Sequence, residues 1–100
     1  MAKKLPPMHP GAVLREEFLI PLGLSAGPIA SACGVPRART ERIANEETPI
    51  TADTALRLGQ VLGTSAQLWL NLQNEFDMRT ATIRIGKELE MISPVATRAA

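Results

Sequence analysis

The chain has 100 residues, 45% of them hydrophobic, which is enough for one domain with a single core but not for two. Only 3% are aromatic, so a stacking surface for single-stranded nucleic acid, which uses several exposed rings, is not expected. The formal net charge is +1, and the basic excess lies in residues 1–45, with six Lys/Arg against three Asp/Glu, whereas residues 46–100 have five against seven.

A lone cysteine, Cys33, leaves no internal disulfide and is typical of the reducing cytoplasm. No apolar run approaches the roughly 20 residues that span a bilayer, and no apolar segment follows Lys3 and Lys4 as in a secretory signal. The sequence also has no Cys/His metal cluster, glycine-rich phosphate loop or nucleophile paired with a base. We therefore expect a cytoplasmic, non-enzymatic protein without catalytic residues, metal, cofactor, membrane contact or small-molecule substrate.

The first helix is predicted to begin at His9 and Pro10, after a flexible arm of residues 1–8. Proline suits the first helical position because its missing N–H would have no partner there. A lone histidine at a helix start is typically a cap or a surface residue. Pro21 and Gly23 are expected to end this helix. Its predicted inward side carries Val13, Leu14 and Phe18.

The stretch from Ser25 to Asn45 is typical of a helix-turn-helix, with a tight turn at Gly34 and Val35. Ser25 is predicted to cap the first helix, Pro36 to open the second, and Asn45 to end it. The side chains expected to pack inward are Ile29, Ala30, Cys33, Thr40, Ile43 and Ala44. The second helix, which enters the DNA major groove in such motifs, carries Arg37, Arg39 and Arg42.

These three arginines have two interpretations. Guanidinium groups reach guanine O6 and N7 and also hold phosphates, and the sequence does not apportion those roles. The alternative is a solvated charged face that pairs internally, for example Arg37 with Glu41 at i,i+4. Such a pair contributes only about 0.3–0.5 kcal/mol, so it does not keep Arg37 from DNA, and DNA contact is favoured.

Two more helices are predicted after the loop of residues 46–51. Thr51 caps a fourth helix that ends near Leu62, and Gly63 stops it. Its predicted buried side chains are Ala55, Leu58 and Leu62. Ser65 caps a fifth helix in which the inward row is Leu68, Leu72 and Phe76. Trp69 shares this apolar stripe, which favours a core residue or a dimer anchor over a ligand stacker.

Residues 79–100 allow two structures. The helix continues with Ile85, Leu89 and Ile92 on one face, or the ATIRI alternation forms a short strand. Pro94 ends either structure, and the last six residues are expected to be disordered.

Three blocks of the sequence, HPGAVLREEFLIPLGLS, GVPRARTERIAN and ITADTALRLGQVLGTSAQLWLNLQNEFDM, closely resemble the HigA-type antitoxins of bacterial toxin–antitoxin operons. These proteins belong to the phage-repressor-like (XRE) helix-turn-helix regulators, and the resemblance covers roughly residues 8–78. It implies an all-α, five-helix DNA-binding domain at residues 9–78, with a helical or irregular extension at 79–100 that is a candidate for dimerisation. It also implies a homodimer, double-stranded operator DNA in its own promoter, and a HigB-type toxin, a small mRNA-cleaving ribonuclease, as partners.

The resemblance also implies the site residues. Base-reading positions fall at the start of the second motif helix, on Arg37, Ala38, Arg39 and Arg42. Phosphate-holding positions fall on Ser25, Gly27 and Asn45.

Three departures from the family pattern affect DNA affinity rather than fold. Gly27-Pro28 replaces larger polar residues and removes a phosphate contact, and Thr40 replaces an aliphatic residue. Glu46 and Glu47 occupy a loop that is often glycine followed by a basic residue, so two carboxylates are expected to repel phosphate. The leading hypothesis is an antitoxin and autorepressor. The alternatives are a stand-alone repressor, and a toxin-binding protein with weakened DNA affinity that uses the surface around Trp69 or the tail from residue 79.

Overall fold

The computed structural model describes residues 7–95, which form five helices and no β-strand. The first helix, α1, has an α-helical turn, a π-helical middle and a final α-helical turn, at Pro10–Val13, Leu14–Leu19 and Ile20–Leu22. The others are α2 (Ala26–Cys33), α3 (Arg37–Ala44), α4 (Ala52–Leu62) and α5 (Ala66–Glu90). The predicted all-α, five-helix fold is confirmed. The predicted flexible arm and disordered end fall mostly on residues 1–6 and 96–100, which lie outside the described residues.

The π-helical segment changes which side chains of α1 face the core. In a π-helix the backbone bonds join residues five apart, as the N–H of Ile20 does with the carbonyl of Arg15. Leu14 and Leu19, five apart, are consequently both buried. The predicted inward row, based on the α-helical period, included Phe18 and missed Leu19. Phe18 is only partly buried at the edge of the core.

Trp69 is a core residue. Its side chain has no exposed surface, its indole N–H donates to Thr64 Oγ1 at 2.8 Å, and its ring packs against Phe18 with centroids 5.4 Å apart. Of the two predicted roles of Trp69, core residue or dimer anchor, the core residue is the correct one. The buried residues around it come from α1 to α4 and the loop before α4: Leu14, Leu19, Ile29, Cys33, Ile43, Ile50 and Leu58.

The buried side of α5 begins one residue later than predicted. Trp69 and Gln73 are buried, whereas Leu68, the first residue of the predicted row, is exposed. The Gln73 side chain accepts a 2.7 Å hydrogen bond from the N–H of Ile50 and donates one of 2.9 Å to Asp77. Gln73 therefore ties the loop that follows α3 to the longest helix of the molecule.

Beyond position 78, α5 remains helical to Glu90 with a kink at Ile85, so the helical alternative is correct and the strand alternative is wrong. Ile85 departs from helical geometry, with φ −112° and ψ 17°, immediately before Gly86. At 1.5 Å per residue these 25 residues extend about 37 Å, which accounts for the 50 Å long axis of the described structure. The division of the chain at residue 78 remains a prediction.

Candidate nucleic-acid interface

The turn between α2 and α3 has the predicted geometry. Gly34 adopts a left-handed conformation with φ 72°, and the N–H of Val35 donates to the carbonyl of Ala30 at 3.0 Å, which closes the end of α2. Pro36 is the extended N-cap of α3 rather than its first helical residue. The inward face of α3 is the predicted one and consists of Thr40, Ile43 and Ala44.

The start of α1 rests directly on the backbone of α3. A Cβ atom at Gly11 would lie 1.7 Å from the Ile43 carbonyl oxygen, so this approach is possible only for glycine. His9 Nδ1 accepts a 2.8 Å hydrogen bond from the N–H of Gly11, and the imidazole packs edge-on against Phe76. The predicted cap role of His9 is confirmed. These contacts fix α3 so that its opposite face points outward.

The outward face of α3 carries the four predicted base-reading residues, all exposed: Arg37, Ala38, Arg39 and Arg42. Gly27 lies next to the first of them, because a Cβ at Gly27 would be 3.7 Å from Arg37 Nε. Ser25 is exposed at the N-cap of α2, but its hydroxyl makes no capping hydrogen bond. Asn45 is exposed at the other end of α3, about 12 Å along the helix from Arg37.

An open groove of about 670 Å³ runs between α3, the loop after it and the start of α4. Arg39 and Arg42 line it together with Ala38, whereas Arg37 lies outside it near α2. The opposite wall includes Thr48, Thr51 and Asp53. Two of the three predicted arginines therefore share one concave surface.

Arg37 forms the internal pair that the sequence suggested. Its Nε is 2.8 Å from Glu41 Oε2 at i,i+4 spacing, and the arginine side chain remains 71% exposed. A pair this exposed contributes at most about 0.5 kcal/mol, so Arg37 can exchange Glu41 for a phosphate. Arg42 makes no hydrogen bond or ion pair through its side chain to another residue of the described range.

Arg39 is held by a partner that sequence reasoning missed. Its Nη1 donates to Asp53 Oδ1 at 2.9 Å, and Arg57 Nε donates to the same oxygen at 2.8 Å. The hydrogen bonds from Arg57 and Arg39 hold the pKa of the Asp53 carboxyl below its usual range. The i,i+4 spacing of Asp53 and Arg57 is sufficient to predict the bond between those two residues. No feature of the sequence near Asp53 indicates that Arg39 also bonds it.

Arg57 also connects α4 to the end of α2. Its Nη1 donates to the Cys33 carbonyl at 2.8 Å. The Cys33 side chain is buried, as predicted, and burial raises the pKa of its thiol. The sequence suggested no charge near Cys33. In the structure, Arg57 and Arg39 lie close enough to lower the pKa of the thiol, but their effect is smaller than that of burial.

The acidic loop is less repulsive than expected. Glu46 has a left-handed backbone with φ 63°, the conformation in which glycine is favoured, and its carboxylate is 3.0 Å from Arg15 Nη2. Arg15 also donates to the Ala44 carbonyl at the end of α3. Arg15 also pairs with Glu16, whose Oε2 lies 3.1 Å from Arg15 Nε, so its charge offsets the Glu46 carboxylate only in part. Glu47 is exposed and has no ion-pair partner within residues 7–95.

Other kinds of site were searched for in residues 7–95. No three His, Cys, Asp or Glu side chains in this range lie close enough together to hold a metal ion. No helix in this range is long and apolar enough to cross a membrane.

Virulence-associated protein I of Dichelobacter nodosus is 44% identical over 96% of this chain and 88% of its own length. Antitoxin HigA-1 of Vibrio cholerae is 32% identical over 89% of this chain and 84% of its own length. The chain belongs to the HigA antitoxin family. Among solved structures, the Pseudomonas aeruginosa antitoxin HigA with higBA promoter has a TM-score of 0.86 and 42% identity, over 90% of this chain and 99% of that one. No protein-family model matches the chain.

Membership of the HigA family confirms the resemblance drawn from the three sequence blocks. The chain is a helix-turn-helix antitoxin of the DNA-binding type and is not an enzyme. The residue assignments on α2 and α3 remain predictions, which the geometry makes specific enough to test.

Proposed function

We propose that this HigA-family protein binds double-stranded operator DNA in its own promoter as a homodimer, represses its operon and neutralises a HigB-type mRNA-cleaving toxin. The proposal rests on one observation: the exposed surface of α3 in a helix-turn-helix carries Arg37 beside α2 and Ala38, Arg39 and Arg42 along the groove. Guanidinium groups at the start of a recognition helix reach guanine O6 and N7 in the major groove, and small side chains such as alanine let the helix approach.

Phosphate contacts are assigned to the ends of this face. Ser25 and Gly27 belong to the start of α2, next to Arg37, and Asn45 follows the last turn of α3. Backbone N–H groups at a helix N-terminus bind phosphate well. The Ser25 hydroxyl makes no capping hydrogen bond, so it is available as a further donor. These residues set the register of the protein on DNA, whereas the arginines of α3 select the bases.

A gel-shift titration with the DNA upstream of the protein's own gene tests operator binding. We expect Arg39→Ala to lose about 1–3 kcal/mol of operator affinity and to relax selectivity at one base pair, because a bidentate arginine–guanine contact is removed. Arg84→Ala is the matched control, since Arg84 is an exposed arginine on the distal half of α5. Equal, unchanged affinity and selectivity in both variants would contradict the assignment of Arg39.

Dimerisation is proposed to occur through the distal half of α5. Met78 and Ile85, at i and i+7, share one side of α5, and Leu89 lies one turn beyond Ile85, where the helix kinks. Met78 and Leu89 are 66% and 44% exposed, a large apolar surface for a single chain. A two-fold dimer places two recognition helices in successive major grooves, about 34 Å apart. Light scattering that gives a monomer at micromolar concentration, with and without DNA, would exclude this arrangement.

Toxin neutralisation is tested by the neighbouring reading frame. We expect it to encode a small basic protein whose expression arrests growth, and co-expression of this chain to restore growth. Arg39→Ala is expected to restore growth as well as the wild type, because base reading and toxin binding are assigned to different surfaces. If no neighbouring product is toxic, the stand-alone repressor is the better description.

Glu47 favours the second candidate, a toxin-binding protein with weakened DNA affinity. Its carboxylate is exposed beside the proposed interface without a compensating cation in the described range. Near phosphate, an uncompensated carboxylate lowers affinity in a salt-dependent manner. If the operator shifts only at low salt and Glu47→Gln restores binding at physiological salt, weakened affinity is the correct account.

A further inference from the structure

Asp53, on α4, forms an ion pair with Arg39, one of the predicted base-reading arginines of α3. Among the described residues, no other side chain outside α3 pairs with any of these arginines. Its Oδ1 accepts hydrogen bonds from Arg39 Nη1 at 2.9 Å and Arg57 Nε at 2.8 Å. Arg57 in turn donates to the Cys33 carbonyl at 2.8 Å. A chain of three hydrogen bonds therefore runs from the recognition helix through α4 to the end of α2.

The three arginines of α3 differ in how they are held. Arg37 pairs only within its own helix, and Arg42 makes no side-chain bond within residues 7–95. Arg39 alone is fixed by another helix. An arginine side chain loses up to about 2 kcal/mol of rotamer entropy when it is immobilised, so a side chain ordered before binding loses less on binding.

The pair is accessible to DNA. The side chains of Arg39 and Asp53 are 42% and 57% exposed, and both line the groove beside α3. Asp53 bonds one terminal nitrogen of Arg39, and a guanidinium group has five N–H donors, so further donors stay available for a base. The carboxylate also repels any phosphate that approaches Arg39 from this side, which disfavours non-specific binding.

We propose that Asp53 is a positioning residue that sets the base selectivity of Arg39, and that Arg57 holds Asp53 in place. The inference depends on the operator binding proposed above and identifies what controls its specificity. The Asp53 carboxylate repels phosphates that approach Arg39. It also holds the Arg39 guanidinium in the orientation that contacts a base. The quantity it controls is the ratio of operator affinity to affinity for unrelated DNA.

The test measures dissociation constants of the full chain for its operator and for a scrambled duplex at fixed salt. Asp53→Asn removes a negative charge and frees Arg39, so non-specific binding is expected to tighten while the affinity ratio falls about tenfold. Arg57→Gln removes a positive charge, so non-specific binding is expected to weaken, yet the ratio is again expected to fall. A role of overall charge alone would shift both duplexes equally and leave the ratio unchanged.

Two further variants complete the test. Glu17→Gln removes an exposed carboxylate from α1, outside the proposed DNA face and the proposed dimer surface, and is expected to leave the ratio unchanged. Asp53→Glu is expected to restore part of it. An unchanged ratio in both Asp53→Asn and Arg57→Gln would overturn the inference. Failure of the wild type to bind the operator would instead overturn the proposed function. Circular dichroism melting confirms that each variant is folded before its ratio is used.

Discussion

Asp53 accepts hydrogen bonds from two guanidinium groups on different helices, and this makes its contribution to stability depend on pH. Arg57 and Arg39 hold the pKa of its carboxyl below the usual value of about 3.9. The carboxyl is therefore ionised in the folded chain at pH values where the unfolded chain has begun to bind a proton. Asp53 therefore makes its full contribution to the free energy of unfolding above about pH 4–5. This contribution is lost as the pH falls through the pKa of the carboxyl in the folded chain.

We expect the difference in unfolding free energy between wild type and Asp53→Asn to be constant at neutral pH and to shrink below about pH 4. Urea unfolding of both proteins between pH 2.5 and 7 measures it. Asp53 is exposed, so salt is expected to reduce the difference at every pH. A difference that stays constant down to pH 2.5 would show that the two guanidinium groups do not perturb the carboxyl.

Gln73 is a buried polar residue whose partners lie in a loop and on its own helix. Gln73→Leu leaves the Ile50 N–H without its acceptor in a buried place, and the cost is expected to be about 1–3 kcal/mol of unfolding free energy. Gln67→Leu is the matched control, because Gln67 is exposed and bonds only Asn71 on the same helix. Chemical denaturation measures both, and equal stability of the two variants would contradict the role of Gln73.

At the scale of the element, the contact of α1 with α3 depends on Gly11. Gly11→Ala places a methyl group 1.7 Å from the Ile43 carbonyl oxygen, and neither backbone can move without leaving the core. We expect a loss of about 3 kcal/mol, because overpacking against backbone costs more than against a flexible side chain. Gly86→Ala on α5 meets nothing within 4 Å and is expected to be neutral or stabilising. Thermal unfolding that ranks the two variants alike would contradict this account.

Local signals predicted most ends of the helices, although Pro21 lies inside the last turn of α1, which ends at Gly23. Thr51 and Ser65 cap α4 and α5 through their hydroxyl groups, and Gly23, Gly34 and Gly63 adopt left-handed conformations where the helices stop. These features depend on the backbone within a few residues of each position, so composition and spacing are sufficient to find them. The inward face of α3 was predicted for the same reason.

Two kinds of feature were not predicted from the sequence: a change of helical period, and contacts between residues far apart in the chain. The π-helical segment moves the buried position from Phe18 to Leu19, and no local residue signals the extra backbone unit. The Arg39–Asp53 and Arg15–Glu46 pairs join residues 14 and 31 positions apart. Their formation depends on how the helices pack, which periodicity alone does not specify.

At the scale of the whole molecule, the two ends of the described structure have different surfaces. The helix-turn-helix end exposes arginines, whereas the distal half of α5 exposes apolar side chains, among them Met78 and Leu89. A monomer binds one half-site through one recognition helix. In a dimer the second recognition helix binds the second half-site at a small further entropic cost, so the dimer binds the full operator more tightly. The proposed dimer therefore links an apolar surface on α5 to DNA affinity at α3.

The double variant Met78→Glu, Leu89→Glu tests this link, because it places two charges at exposed apolar positions in the distal half of α5 without touching the core. We expect a monomer by sedimentation at micromolar concentration and at least a hundredfold weaker operator binding, since the second half-site is lost. Ile83→Glu is the control: Ile83 is 72% exposed on another side of the same helix, so this variant is expected to remain a dimer with operator binding within a few-fold of the wild type. A double variant that dimerises like the wild type would place the two-fold contact elsewhere, and a monomer that still binds the full operator at wild-type affinity would separate dimerisation from DNA binding.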